Sequence, residues 1–150
     1  MITRSLTKQE VAAEPFRIWN AFVNLLAMER FEQLSPEQRP AHLVFWYEGE
    51  VQNGGHLQFF ENRGLQHLTE TVEALGLLGA LGQQQVLREA GVQWLSRPRS
   101  RIKTAQEYCE IALEGEFDSF DSRFHKCSPP LTQCLEKYLE RNQDLFVRIS

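Results

Sequence analysis

The sequence predicts an all-α fold, a compact single-domain multi-helix bundle of about six to eight helices over residues 1–150, on three observations. Helix-start signals recur at Thr7, Ser35, Thr104 and Ser128. Between them apolar residues return at helical spacing, and no alternating strand pattern of useful length is present. An apolar content of 42% in 150 residues is enough for one core without disulfides or metal.

Thr7-Lys-Gln-Glu10 has the capping-box form, so a short helix should run to about Glu14. Pro15 would break an interior turn and instead opens a second helix, with Phe16, Trp19, Val23 and Leu26 as its buried stripe. Ser35-Pro36-Glu37-Gln38 is another cap, and Pro40 keeps the first turn irregular until Ala41. AHLVFWYEGEV continues as helix and stops at Asn53-Gly54-Gly55, residues that tolerate positive φ. A short helix from His56 to Asn62 is closed by Gly64. One amphipathic helix is expected from Leu65 to about Gly82 on Leu68, Val72, Leu75 and Leu78, with Gly76, Gly79 and Ala80 letting a neighbouring backbone approach. GQQQVLREAGVQWL is the next helix, ending near Trp94 before the loop SRPRSRIK. Thr104-Ala-Gln-Glu107 caps a helix through about Glu114, FDSFDSRFHKC supplies one or two turns, and Ser128-Pro129 starts the last helix with Leu131, Leu135, Tyr138 and Leu139 inward.

Several function classes are disfavoured. No apolar run is long enough to span a bilayer, and MITRSLTKQEV is polar where a signal peptide is apolar, so a cytoplasmic protein without a membrane partner is expected. Cys109, Cys127 and Cys134 are odd in number and irregular in spacing, which reads as reduced thiols. His42, His56, His67 and His125 lack metal-ligand spacing, and His125-x-Cys127 is too little for zinc or a Cys-His nucleophile pair; no metal, cofactor or catalytic residue is expected. The net charge of −4 gives no general attraction to phosphate, and direct nucleic-acid binding is not expected. The basic loop Arg97-Pro-Arg-Ser-Arg-Ile-Lys103 has no interleaved aromatics, and reads as solvated or paired with the protein's own acids.

The stretch EVQNGGHLQFFENRG, residues 50–64, lacks the preceding strand of a dinucleotide site and the Lys-Ser/Thr ending of a P-loop. It reads as a joint. Asn53, Gly54 and Gly55 provide the turn, Phe59 and Phe60 anchor the next helix, and Gln58 and Asn62 share a face from which they could satisfy loose backbone groups. The positions Glu50, Val51, Asn53, Gly54, Gly55, Gln58, Phe59, Phe60, Asn62 and Gly64 resemble the signature of a bacterial DNA-mimic protein family, small all-α proteins catalogued as a domain of unknown function. ALGLLGA at 74–80, and FDSFDSRF with the helix through YLERNQDLF at 117–146, are similar to the same family. His56 departs from it, standing where the family more often has an aromatic or aliphatic residue. The resemblance implies an all-helical domain without known catalysis and, for its DNA-mimic members, an acidic surface that occupies a DNA-binding protein in place of DNA.

The charge pattern carries its own signal. Glu107, Glu110, Glu114, Glu116, Asp118 and Asp121 fall in one window without Lys or Arg. On a continuous helix all but Glu116 would share roughly one quadrant and span about 21 Å; Gly115 is where that helix would break. The bland alternative is a solvated helix face, which is also the reading of Glu136, Glu140 and Asp144 beside Lys137 and Arg141.

The expectation is therefore a non-enzymatic protein-binding module, a DNA mimic whose contact surface is Glu107, Glu110, Glu114, Asp118 and Asp121 and whose partner is a DNA-binding protein or transcription factor. Its alternatives are an immunity-type or regulatory inhibitor of a partner that does not bind DNA, and an enzyme or small-ligand binder using Asn53, Gln58 and Asn62. Exposed Phe or Leu around the C-terminal helix could support a homodimer.

Overall fold

The helix signals are realised, with local differences, in the computed structural model, which describes residues 1–150. β1 (Arg4–Leu6) precedes α1 (Lys8–Ala13) and α2 (Arg17–Met28); a 3-10 turn (Phe31–Gln33) leads to α3 (Arg39–Arg63). Then come α4 (Leu68–Leu77), α5 (Leu81–Leu95), α6 (Ala105–Leu113), α7 (Asp118–Lys126) and α8 (Leu131–Asn142). A second 3-10 turn (Gln143–Leu145) and β2 (Val147–Ile149) close the chain. The all-α reading holds, and no helix is long and apolar enough to cross a membrane.

The α3 helix organises the molecule. Its buried residues Ala41, Val44, Tyr47, Val51, Leu57, Phe59 and Phe60 lie at the centre of one apolar cluster, and α2, α4, α7 and α8 pack against it. Burying a Leu- or Phe-sized side chain contributes about 1.5–3 kcal/mol, so this cluster outweighs any single polar feature of the fold. On α8, Leu131, Cys134, Leu135 and Leu139 face inward at helical spacing, with Tyr138 half-buried beside them.

Thr7 and Glu10 form the full reciprocal capping box. At Thr104 only half of one forms: Thr104 accepts from the Glu107 N–H at 3.1 Å, while the Glu107 carboxylate takes the Lys103 N–H at 2.8 Å. Ser35 and Gln38 exchange the expected bonds, but α3 is regular from Arg39 rather than Ala41. Pro40 sits in the first turn, where its missing N–H has no helical acceptor to lose.

Three expectations need correction. Phe16 is exposed, because α2 starts after it and buries Phe22, Leu25 and Leu26, with Trp19 and Val23 half-buried. The single helix from Leu65 to Gly82 is two helices. Gly79, at φ 79°, ends α4 in a Schellman closure in which Ala80 N–H donates to the Leu75 carbonyl at 2.8 Å and Gly79 N–H to Gly76 at 3.1 Å. Gly76 makes room for the Gln84 amide, which bonds the Val72 carbonyl at 2.9 Å, rather than for a backbone. The third is the absence of strands: β1 and β2 pair in parallel, Arg4 opposite Val147 and Leu6 opposite Ile149. Buried Gln38 ties that pair to α3, its amide N–H2 donating to the carbonyls of Ile2 at 2.6 Å and Leu145 at 2.7 Å.

Candidate functional site

Asn53-Gly54-Gly55 bends α3 into arms 39–53 and 56–63, as its composition requires. Gly54 lies at φ −149°, ψ 19°, and Gly55 at φ 71°, ψ −172°, the latter a region essentially reserved for glycine. Both also lie against side chains. A Cβ on Gly54 would meet Gln58 Oε1 at 2.1 Å, and one on Gly55 would meet Asp121 Oδ2 at 2.4 Å.

The polar residues of the joint converge on Glu50. Its Oε2 accepts from Gln58 Nε2 at 2.9 Å and Asn62 Nδ2 at 2.8 Å, Arg63 lies 3.5 Å from its other oxygen, and Asn53 Nδ2 donates to Gln58 Oε1 at 3.0 Å. The two amides thus satisfy a buried carboxylate rather than loose backbone groups. Spacing on one helix could not show this, because Glu50 lies on the other arm. Phe59 and Phe60 are buried anchors, Phe60 stacking on Trp94 with ring centroids 5.0 Å apart.

His56 is the centre of a second arrangement. Asp121 Oδ1, on α7, accepts from the His56 backbone N–H at 2.8 Å and lies 2.7 Å from His56 Nδ1, while His56 Nε2 is 2.7 Å from the Tyr47 hydroxyl. A carboxylate can only accept, so Nδ1 carries a proton, and in the neutral ring Nε2 is then the acceptor for the Tyr47 hydroxyl. Tyr47 and His56 are wholly buried, and burial, then the charges of Cys127 and Asp121, push the Tyr47 phenol well above its ordinary pKa. The order Asp-His-Tyr looks like a proton relay, yet it ends inside the core: Tyr47 is wholly buried, its ring packed edge-on against Phe59 and Phe124. Its evident effect is to clamp α7 onto both arms of α3.

That clamp divides the acidic window. Gly115, at φ 71°, breaks the helix, so the five aligned carboxylates do not form one row. Glu107, Glu110 and Glu114 lie on α6 and its C-cap, Asp118 is exposed at the start of α7, and Asp121 is turned to His56. No residue of α6 is fully buried; Tyr108 and Ile111 pack partly on the core, and Leu113 is 87% exposed.

Glu116, the acid that did not align, gathers the basic loop. Arg99 bonds its two oxygens at 2.8 and 2.7 Å, Arg97 reaches it at 2.9 Å and Gln93 at 2.7 Å. The Arg99 bonds hold the Glu116 carboxyl well below the usual carboxylate range, those of Arg97 and Gln93 add to the effect, and burial opposes it. Arg97 also lies 3.9 Å from Glu114, and Arg99 stacks over Trp94 at 4.3 Å. Two of the four loop cations are therefore paired with the protein's own acids, leaving Arg101 and Lys103 exposed.

No three His, Cys, Asp or Glu side chains converge as metal ligands would. His42 is buried with Nδ1 unpartnered; burial first, and then the Arg63 charge, lower its pKa to about 4. Nothing in its spacing signalled this, since Arg63 reaches it from the other arm of α3.

A family model described as DMP19-like protein matches residues 32–142, a span that contains the joint, the clamp and the whole acidic window. No curated protein and no solved structure matches the chain.

Proposed function

The chain belongs to the DMP19-like protein family, and on that ground we propose that it is a non-enzymatic protein-binding module whose α6 carboxylates occupy the basic, DNA-contacting face of a DNA-binding protein. One observation carries the reading: a helix with no fully buried residue presents Glu107, Glu110 and Glu114 in a segment, residues 104–122, that contains no Lys or Arg, while Arg97 and Arg99 are drawn onto Glu116. Asp118 extends the charge across the Gly115 break. The resemblance of residues 50–64 to DNA-mimic proteins supports the same reading.

The geometry sets its scale. Glu107 to Glu114 rises about 10 Å along α6 at 1.5 Å per residue. Phosphates on one strand of a duplex advance about 3.4 Å per step, so this row is sparser than the backbone it replaces. A second copy of the chain would supply the second row of a duplex-like surface. Binding by such a surface is steered by long-range charge and weakened by salt.

The test is charge reversal. In Glu110→Lys/Glu114→Lys/Asp118→Lys, affinity for a partner isolated with the native protein should fall by roughly a hundredfold or more, since close interfacial charge pairs couple by about 1.5–7 kcal/mol. The wild-type affinity should fall steeply with added salt. Unchanged affinity in the triple variant would remove this surface from the account; a partner indifferent to competing duplex would favour an inhibitor of a protein that does not bind DNA.

A further inference from the structure

A cavity of about 410 Å³ lies among the end of α2, the first 3-10 turn and the facing sides of α3 and α4, and none of its lining residues belongs to α6 or α7. Its size is that of a small-molecule pocket, roughly 300–1,000 Å³. Aromatic rings supply much of the wall. Phe31 and His67 lie 4.1 Å apart between centroids, and the Trp46 indole is held by an Nε1–H bond to the Leu26 carbonyl at 3.0 Å. The wall also contains the buried, unpartnered Nδ1 of His42.

Cations surround these rings. The Arg63 guanidinium lies 4.2 Å over Trp46 and keeps only a long 3.5 Å contact to Glu50, and Arg30 lines the cavity from an exposed position. Arg39 stacks on Phe31 at 4.6 Å. Of the two carboxylates that line it, Glu29 is held by Arg4 at 3.0 Å and Glu32 faces these cations, while Glu70, outside the wall, bonds the His67 ring at 2.9 Å. A cavity walled by rings, with the exposed Arg30 and the loosely held Arg63 on its lining, suits a flat ligand that carries negative charge.

We propose that this cavity binds a small planar aromatic molecule carrying one acidic group, its ring against Trp46 and Phe31 and its anion at Arg30 and Arg63. The recognition is independent of the carboxylate surface on α6.

The experiment is titration of the full chain with 2-naphthoate and with its neutral analogue 2-naphthalenemethanol, following the Trp46 indole N–H in two-dimensional NMR against those of Trp19 and Trp94. Saturable shifts centred on Trp46, with the neutral analogue weaker by roughly tenfold, are expected. Arg30→Glu, at an exposed position, should weaken naphthoate by a similar factor without disturbing the remaining spectrum, and Glu110→Lys should leave it unchanged. No Trp46 shift at millimolar naphthoate, equal affinity for the alcohol, or full affinity in Arg30→Glu would each overturn the proposal. Because the Glu110 variant also probes the partner surface, failure of one site is read separately from failure of the other.

Discussion

Replacing Gly55 by alanine strikes the joint and the clamp at once, and the structure separates the two costs. At φ 71°, ψ −172° a residue with a Cβ is strained by about 1–3 kcal/mol. The new methyl would also sit 2.4 Å from Asp121 Oδ2, so Asp121 must withdraw. Its Oδ1 accepts both the backbone and the ring N–H of His56, and a buried donor left unmet costs about 1–3 kcal/mol. With both donors unmet the sum is roughly 3–9 kcal/mol, a large share of the roughly 5–15 kcal/mol that holds a domain together. Urea unfolding of Gly55→Ala, Asp121→Ala and the double variant measures the parts. In the Asp121→Ala background the methyl has space and the bonds are already gone, so Gly55→Ala should cost only its backbone strain. A less-than-additive cycle, coupled by about 2 kcal/mol, is expected. Equal costs in both backgrounds would refute the contact between Gly55 and Asp121 as the reason for glycine here.

Two titrations give further checks. The folded Glu116 carboxyl lies below its unfolded value, so its stabilisation is full above the ordinary carboxylate pKa and is lost as pH falls through the folded one. Glu116→Gln should cost about 2 kcal/mol at neutral pH in chemical unfolding, a difference that shrinks in acid, and a pH-independent difference would contradict the account. His42, with its pKa lowered to about 4, is bound by a proton more readily in the unfolded chain, so stability should fall as pH drops from about 6.5 towards 4. The shift corresponds to at most roughly 3 kcal/mol; His42→Phe should flatten that slope, and an NMR titration placing His42 near 6.5 would contradict its burial.

The sequence carried the helices and the joint because those are local. A capping residue, a glycine pair and an apolar spacing of three or four residues state their own structure, which is why Thr7, Asn53-Gly54-Gly55 and the α8 face were legible. It missed Gly79 as a helix stop because Leu68, Val72, Leu75 and Leu78 continue the helical period to within one residue of it. The strands escaped because three residues are too few to alternate, and each exists only through the distant end of the chain. The site divides in the same way. The acidic window was visible as composition, but its division at Gly115 and the commitment of Asp121 to His56 depend on α7 folding back against α3. Glu116 looked like the odd acid on the helical wheel, and its role became apparent only when the loop holding Arg97 and Arg99 was placed beside it. His56 stood out only as a departure from the resembling signature, and three of its polar atoms are satisfied only by Tyr47 and Asp121.

Carboxylates on α6 that compete with phosphate for a protein partner would reveal themselves in a cell extract. The most direct measurement is capture from native cell lysate by the wild-type protein and by Glu110→Lys/Glu114→Lys/Asp118→Lys in parallel, with bound material displaced by duplex DNA and identified by mass spectrometry. The account predicts a DNA-binding protein that the wild type retains, duplex DNA releases and the triple variant fails to capture. A partner held equally by both proteins and untouched by duplex DNA would contradict it.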